Sequence, residues 1–227
     1  MAKFSFAALA LVALSALSAS AQSYPASQAS TDLTSLCSSL SYLPVCSIQK
    51  LTCTTMSSTY PSQCNPIALM HTGCADPAAS SNAACSTINK LCTSTPTATE
   101  CSANITGLPT AKAVSMNDYS ICYQMPMMNS CTICPGSPSN TTLIYQSCDP
   151  LNAYGQLCLE MPGMSQCANW QTFCSANSKI APYCSAAAAA ASPSSSPSPS
   201  AKSDASFNGV GVIPAAAVAI MVAALGF

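Results

Sequence analysis

Sixteen cysteines lie between Cys37 and Cys184, and none lies outside that stretch. An even number of cysteines at this density is the mark of a chain built for an oxidising compartment, where the thiols pair. They divide into two sets of eight: Cys37, Cys46, Cys53, Cys64, Cys74, Cys85, Cys92 and Cys101, then Cys122, Cys131, Cys134, Cys148, Cys158, Cys167, Cys174 and Cys184. The steps run 9, 7, 11, 10, 11, 7, 9 in the first set and 9, 3, 14, 10, 9, 7, 10 in the second. Neighbouring residues agree too, since "CNPIALMHTGC" aligns with "CDPLNAYGQLC". The economical reading is a tandem duplication of a small module. Modules of this size bury little apolar surface, so cross-links substitute for a larger core. Eight cysteines allow about 105 pairings per module, and the sequence does not choose among them.

The local signals are helical. Asn65-Pro66 and Asp149-Pro150 each set a capping side chain before a proline suited to the first helical position. Asp32 is placed to cap "LTSLCSSL" in the same way. Pro162 is placed to open a helix through Cys174, in which Met164, Cys167, Gln171 and Cys174 share one face. Strand signals are weak. These features predict an all-α, disulfide-rich fold with a first module over 22–110 and a second over 111–185, joined by the segment "SANITGLPTAKAVSMND".

Two stretches of the second half repeat one frame: "CYQMPMMNSC" (122–131) and "CLEMPGMSQC" (158–167) both read C-x-x-M-P-x-M-x-x-C. Thioether sulfur is a soft donor suited to Cu(I), and it stays available when cysteines are oxidised. Met125/Met128 and Met161/Met164 are spaced as pairs within one helical turn. Met127 adds a fifth sulfur, and His71, beside Met70, is a further candidate ligand, as are Met56 and Met116. Against this stands methionine's use as core filler. The first half has Leu40 and Leu43 where the second has Met125 and Met128, so hydrophobicity alone satisfies the frame there.

The ends carry targeting signals. Residues 1–21 have one lysine, an apolar run and Ala19-Ser20-Ala21, which reads as a secretory signal peptide. Residues 186–206 are rich in Ala, Ser and Pro, a composition that suits an extended, O-glycosylated stalk. Residues 207–227 form an apolar tail without a basic flank, which with the polar spacer reads as a signal for a glycolipid (GPI) anchor attached near Ser203, or at Asn208 if the spacer is short, the alternative being a single transmembrane helix. Asn104 and Asn140 begin N-glycosylation sequons. The expected location is the cell surface, on the plasma membrane or in the wall.

Six lysines, no arginine, seven acids and one histidine exclude a nucleic-acid surface and leave no material for common catalytic constellations. A lone histidine rules out H-E-x-x-H, and no G-x-S-x-G elbow is present. The chain is read as a binding or coat protein rather than an enzyme.

The C-x-x-M-P-x-M-x-x-C frame, followed by "ANWQTFC", resembles the Cys- and Met-rich extracellular modules of fungi, some of which are joined to Ctr-type copper transporters. The resemblance covers roughly Cys37 to Cys184. It implies copper as the bound cofactor, extracellular capture or delivery, Met125, Met128, Met161 and Met164 as ligands, and a copper transporter as partner. In size, cysteine number and anchoring the chain also resembles the fungal CFEM class, which implies haem, but Cys-x-Cys is missing. The structural alternative is a mannoprotein or adhesin that meets cell-wall polysaccharide and binds no metal.

Overall fold

A computed structural model of the chain describes residues 23–139, 143–177 and 180–185. The expected signal peptide, Asn140, the stalk and the tail with Ser203 lie outside the described residues. Those described belong to one compact unit and are helical, with no strand among them.

In the first half, α1 (Ala26–Ser39) leads into α2 (Pro44–Ser47), which continues through the π-helical turn Ile48–Cys53 into the short α3 (Thr54–Met56). After a loop come α4 (Pro66–Ala75), a 3-10 turn Ala83–Cys85 continuing as α5 (Ser86–Ser94), and α6 (Thr99–Ser102). The second half has α7 (Ala111–Gln124), a 3-10 turn Asn129–Thr132, α8 (Pro150–Glu160), and a 3-10 turn Ser165–Cys167 that continues as α9 (Ala168–Ala176). The duplication is visible in the packing: α1 against α4 and α7 against α8 are the most extensive helix pairs.

The predicted caps at Asn65 and Asp149 are present. Asn65 Oδ1 accepts from the N–H groups of Ile67 and Ala68, and Asp149 Oδ1 from that of Asn152. Asp32 is different. Helix α1 already begins at Ala26, so Asp32 lies inside it, where its carboxylate accepts from Tyr24 Oη and Gln28 Nε2 at 2.8 Å each. The proposed joining segment is also shorter than expected, because Thr110 Oγ1 caps α7 from Ala111 onward.

All sixteen cysteines pair, each with its neighbour in sequence: Cys37–Cys46, Cys53–Cys64, Cys74–Cys85, Cys92–Cys101, Cys122–Cys131, Cys134–Cys148, Cys158–Cys167 and Cys174–Cys184. Most staples tie the end of one helix to the start of the next helical turn. Closing loops of this length contributes about 2–4 kcal/mol each in the chain-entropy picture.

The two repeats share one core. Leu33, Leu36, Leu69, Met70 and Ile88 from the first half cluster with Leu151, Tyr154, Phe173 and Tyr183 from the second. Buried polar groups lock the seam. Ser47 Oγ donates to Asp149 Oδ2 at 2.7 Å, and its single proton being used there, it accepts from Tyr183 Oη at 2.7 Å. Thr52 Oγ1 donates to Ala181 O, and Asp76 Oδ2 accepts from Ala111 N, each at 2.7 Å.

Candidate metal centre

Four stretches build one motif, a nine-residue step between two paired cysteines: 37–46, 92–101, 122–131 and 158–167. In each, the third residue after the first cysteine ends a helix: Leu40, Thr95, Met125 and Met161 have φ between −131° and −139° and ψ between 59° and 71°. Three residues later, Leu43, Ala98, Met128 and Met164 start the next helical segment with φ between −62° and −71° and ψ between 135° and 141°. The N–H of the second position bonds to the carbonyl of the first, at 3.1, 3.0, 3.3 and 3.3 Å. That is a β-turn, and Pro96, Pro126 and Pro162 occupy the position where proline's fixed φ suits it.

The methionine pairs therefore bracket turns and are not on helix faces. Proline at the second position of a turn and proline at the first position of a helix look alike in sequence. For the same reason Pro162 opens no helix; the helical stretch begins at Ser165. Met125, Met128 and Met164 are half-buried and pack against the core, Met161 is 40% exposed, and Met127 stands 93% exposed at the tip of its turn.

The fold ties the two methionine turns to each other's helices. Each turn follows the C-terminal end of one helix of the packed α7/α8 pair, and each is tied to the other helix. Ser130 Oγ, just after the first turn, donates to Glu160 Oε1 at the end of α8, at 2.7 Å. Gln166 Nε2, just after the second turn, donates to Ser120 Oγ near the end of α7, at 3.4 Å. Tyr154 Oη of α8 donates to Gln166 O at 2.6 Å and accepts from Asn117 Nδ2 of α7 at 3.3 Å. Beside the first turn an open hollow of about 520 Å³ lies between Tyr119, Tyr123, Pro126, Thr132 and Pro135, so solvent reaches that side of the pair.

The remaining candidates lie elsewhere. His71 is on α4 in the first repeat, where its Nδ1 is 2.8 Å from Ala103 O and donates to it. Met70 beside it is fully buried, and Met56 is half-buried on α3. Met116, 44% exposed on α7, belongs to the second repeat. Asn104 is exposed, as a glycosylation site requires. No cluster of three or more His, Cys, Asp or Glu suited to a metal occurs among the described residues, so a centre here would rest on thioether sulfur.

Asp118 is a feature the sequence reading passed over. It sits on α7 with no exposed surface, and its Oδ2 meets no hydrogen-bonding group of the protein. Its Oδ1 lies 3.8 Å from Cys122 Sγ, a disulfide sulfur with no proton to give. Burial pushes its carboxyl up to about 7. The signal was legible: Val114, Asp118 and Ile121 follow the spacing of a buried helical face, with an acid in the middle.

No family model matches the chain, and no solved structure matches it. Protein P80 of Dictyostelium discoideum is 39% identical over 157 residues, a match that covers 66% of this chain and 28% of that protein. The chain thus spans less than a third of the relative it matches.

Proposed function

We propose that this chain is a cell-surface protein, held by a glycolipid anchor at its C-terminal end, that captures Cu(I) outside the cytoplasm through the methionines of its second repeat. The eight disulfides support an extracellular or secreted setting, in which cysteine thiolate is not available and thioether is the soft ligand that remains. No helix among the described residues is long and apolar enough to cross a membrane. The partner in this reading is a copper transporter that receives the ion.

One observation carries the reading. The same stapled turn is built with Leu40/Leu43 and with Thr95/Ala98, so its backbone does not require methionine. Met116, Met127 and Met161 nevertheless make up three of the five large hydrophobic side chains left exposed among the described residues, all on the second repeat. Exposed thioether beyond the needs of the fold is what a soft-metal port demands. Being neutral, these donors give modest affinity.

The rival reading is a coat protein without metal, and the two turns of the first repeat, built without methionine, favour it. Titrating the oxidised protein with Cu(I) against a competing chelator separates the two. Changing Met125, Met128, Met161 and Met164 together to Leu is expected to preserve the circular dichroism spectrum and abolish competition for copper. A variant with native dichroism and undiminished copper uptake would mark these side chains as packing alone.

A further inference from the structure

We infer that the contact between Glu160 and Ser130 fuses the two methionine turns into one shared site, so that the chain holds a single Cu(I) between the turns instead of one on each. The inference rests on the copper reading and concerns how that site is assembled. Either turn alone places its paired methionines on opposite ends of a β-turn, half-buried or partly exposed, which leaves a cuprous ion short of sulfur. Joined through Ser130 and Glu160, the two turns carry four such sulfurs between them, with Met127 as a fifth. The crossed arrangement holds them there: Ser130 reaches from the first turn to α8 at 2.7 Å, and Gln166 from the second turn to α7 at 3.4 Å.

Glu160 has a particular place in this arrangement. It is the only charged residue in either ten-residue motif, it immediately precedes Met161, and its carboxylate is pinned from the opposite turn. A hydrogen bond to a carboxylate is stronger than one between neutral groups, so this is the firmer of the two direct ties. It also puts a negative charge beside a cation that neutral sulfurs cannot compensate. Glu160 is thus a positioning residue for the pair of turns.

The test uses the whole chain, purified with its cysteines oxidised, and Cu(I) itself as the probe. One ion per chain is expected. Ser130→Ala and Glu160→Ala should each weaken binding by roughly tenfold, and the double variant should be no weaker than the more affected single one, because the two residues form one contact. Glu160→Gln, which keeps an acceptor for Ser130, should retain the one-to-one stoichiometry. A merely structural contact would leave stoichiometry and affinity unmoved. Two independent ions per chain, or unaltered affinity in Ser130→Ala, would overturn the shared site and leave copper binding standing. A wild-type chain that takes up no Cu(I) would instead remove the copper reading, and this inference with it.

Discussion

Asp118 is fully buried with no hydrogen-bond partner for its Oδ2 among the described residues, and burial, joined by the Asp118 charge, pushes the Tyr145 phenol up to about 12. A carboxyl raised from 3.8 to about 7 stays protonated in the folded state over a range in which the unfolded chain has already released the proton. The folded state then binds more protons than the unfolded one, so stability falls as pH rises from about 4 to about 7. Below that window the penalty is absent, and above it the penalty is complete, about 4 kcal/mol at most. Asp118→Asn should flatten this slope in denaturant unfolding measured from pH 4 to pH 8. A variant with the same slope as the wild type would mean that Asp118 ionises without cost. Residue by residue, then, the second repeat spends stability around the Cys122 staple, where the first methionine turn begins.

The stapled turn is the recurring element, and its use four times explains what could be read from sequence. Cysteine spacing exposed the duplication, and the Asn65 and Asp149 caps were legible because a short polar side chain followed by proline has few other local meanings. The methionine turns were not, since a step of three residues fits both one helical turn and the two ends of a β-turn. Pairing of the cysteines was equally hidden: it depends on which ends of helices meet in space. Asp32 misled because, from inside α1, its side chain bonds to Gln28 and to Tyr24, which precedes the helix, and caps no helix start. Packing between elements gives a sharper test. Helix α8 passes so close to the segment at Tyr183 that a Cβ added at Gly155 would lie 3.1 Å from Tyr183 Cα, which is backbone and cannot rotate away. Gly155→Ala should therefore destabilise the protein by about 1–3 kcal/mol, despite the better helix propensity of alanine. Thermal unfolding would check this, and a variant as stable as the wild type would contradict the close approach.

At the scale of the whole molecule, the two repeats behave as halves of one body because their seam is both apolar and hydrogen-bonded. Ser47 is central to it, satisfying Asp149 and Tyr183 together, and burial holds both of those groups above their ordinary ionisation ranges. Ser47→Ala should cost about 1–3 kcal/mol, the penalty of leaving buried polar groups unpaired. Unfolding of the non-reduced protein should remain a single transition for both repeats, and two separate transitions would show that the repeats are independent modules. Within this body each methionine turn follows one helix of the α7/α8 pair and is hydrogen-bonded to the other. Copper-edge X-ray absorption of the oxidised, Cu(I)-loaded protein tests that arrangement most directly. The expected spectrum shows a first shell of at least three sulfur donors, lost when the four turn-bracketing methionines become leucine. A shell of nitrogen and oxygen alone, or sulfur that persists in the leucine variant, would contradict the account.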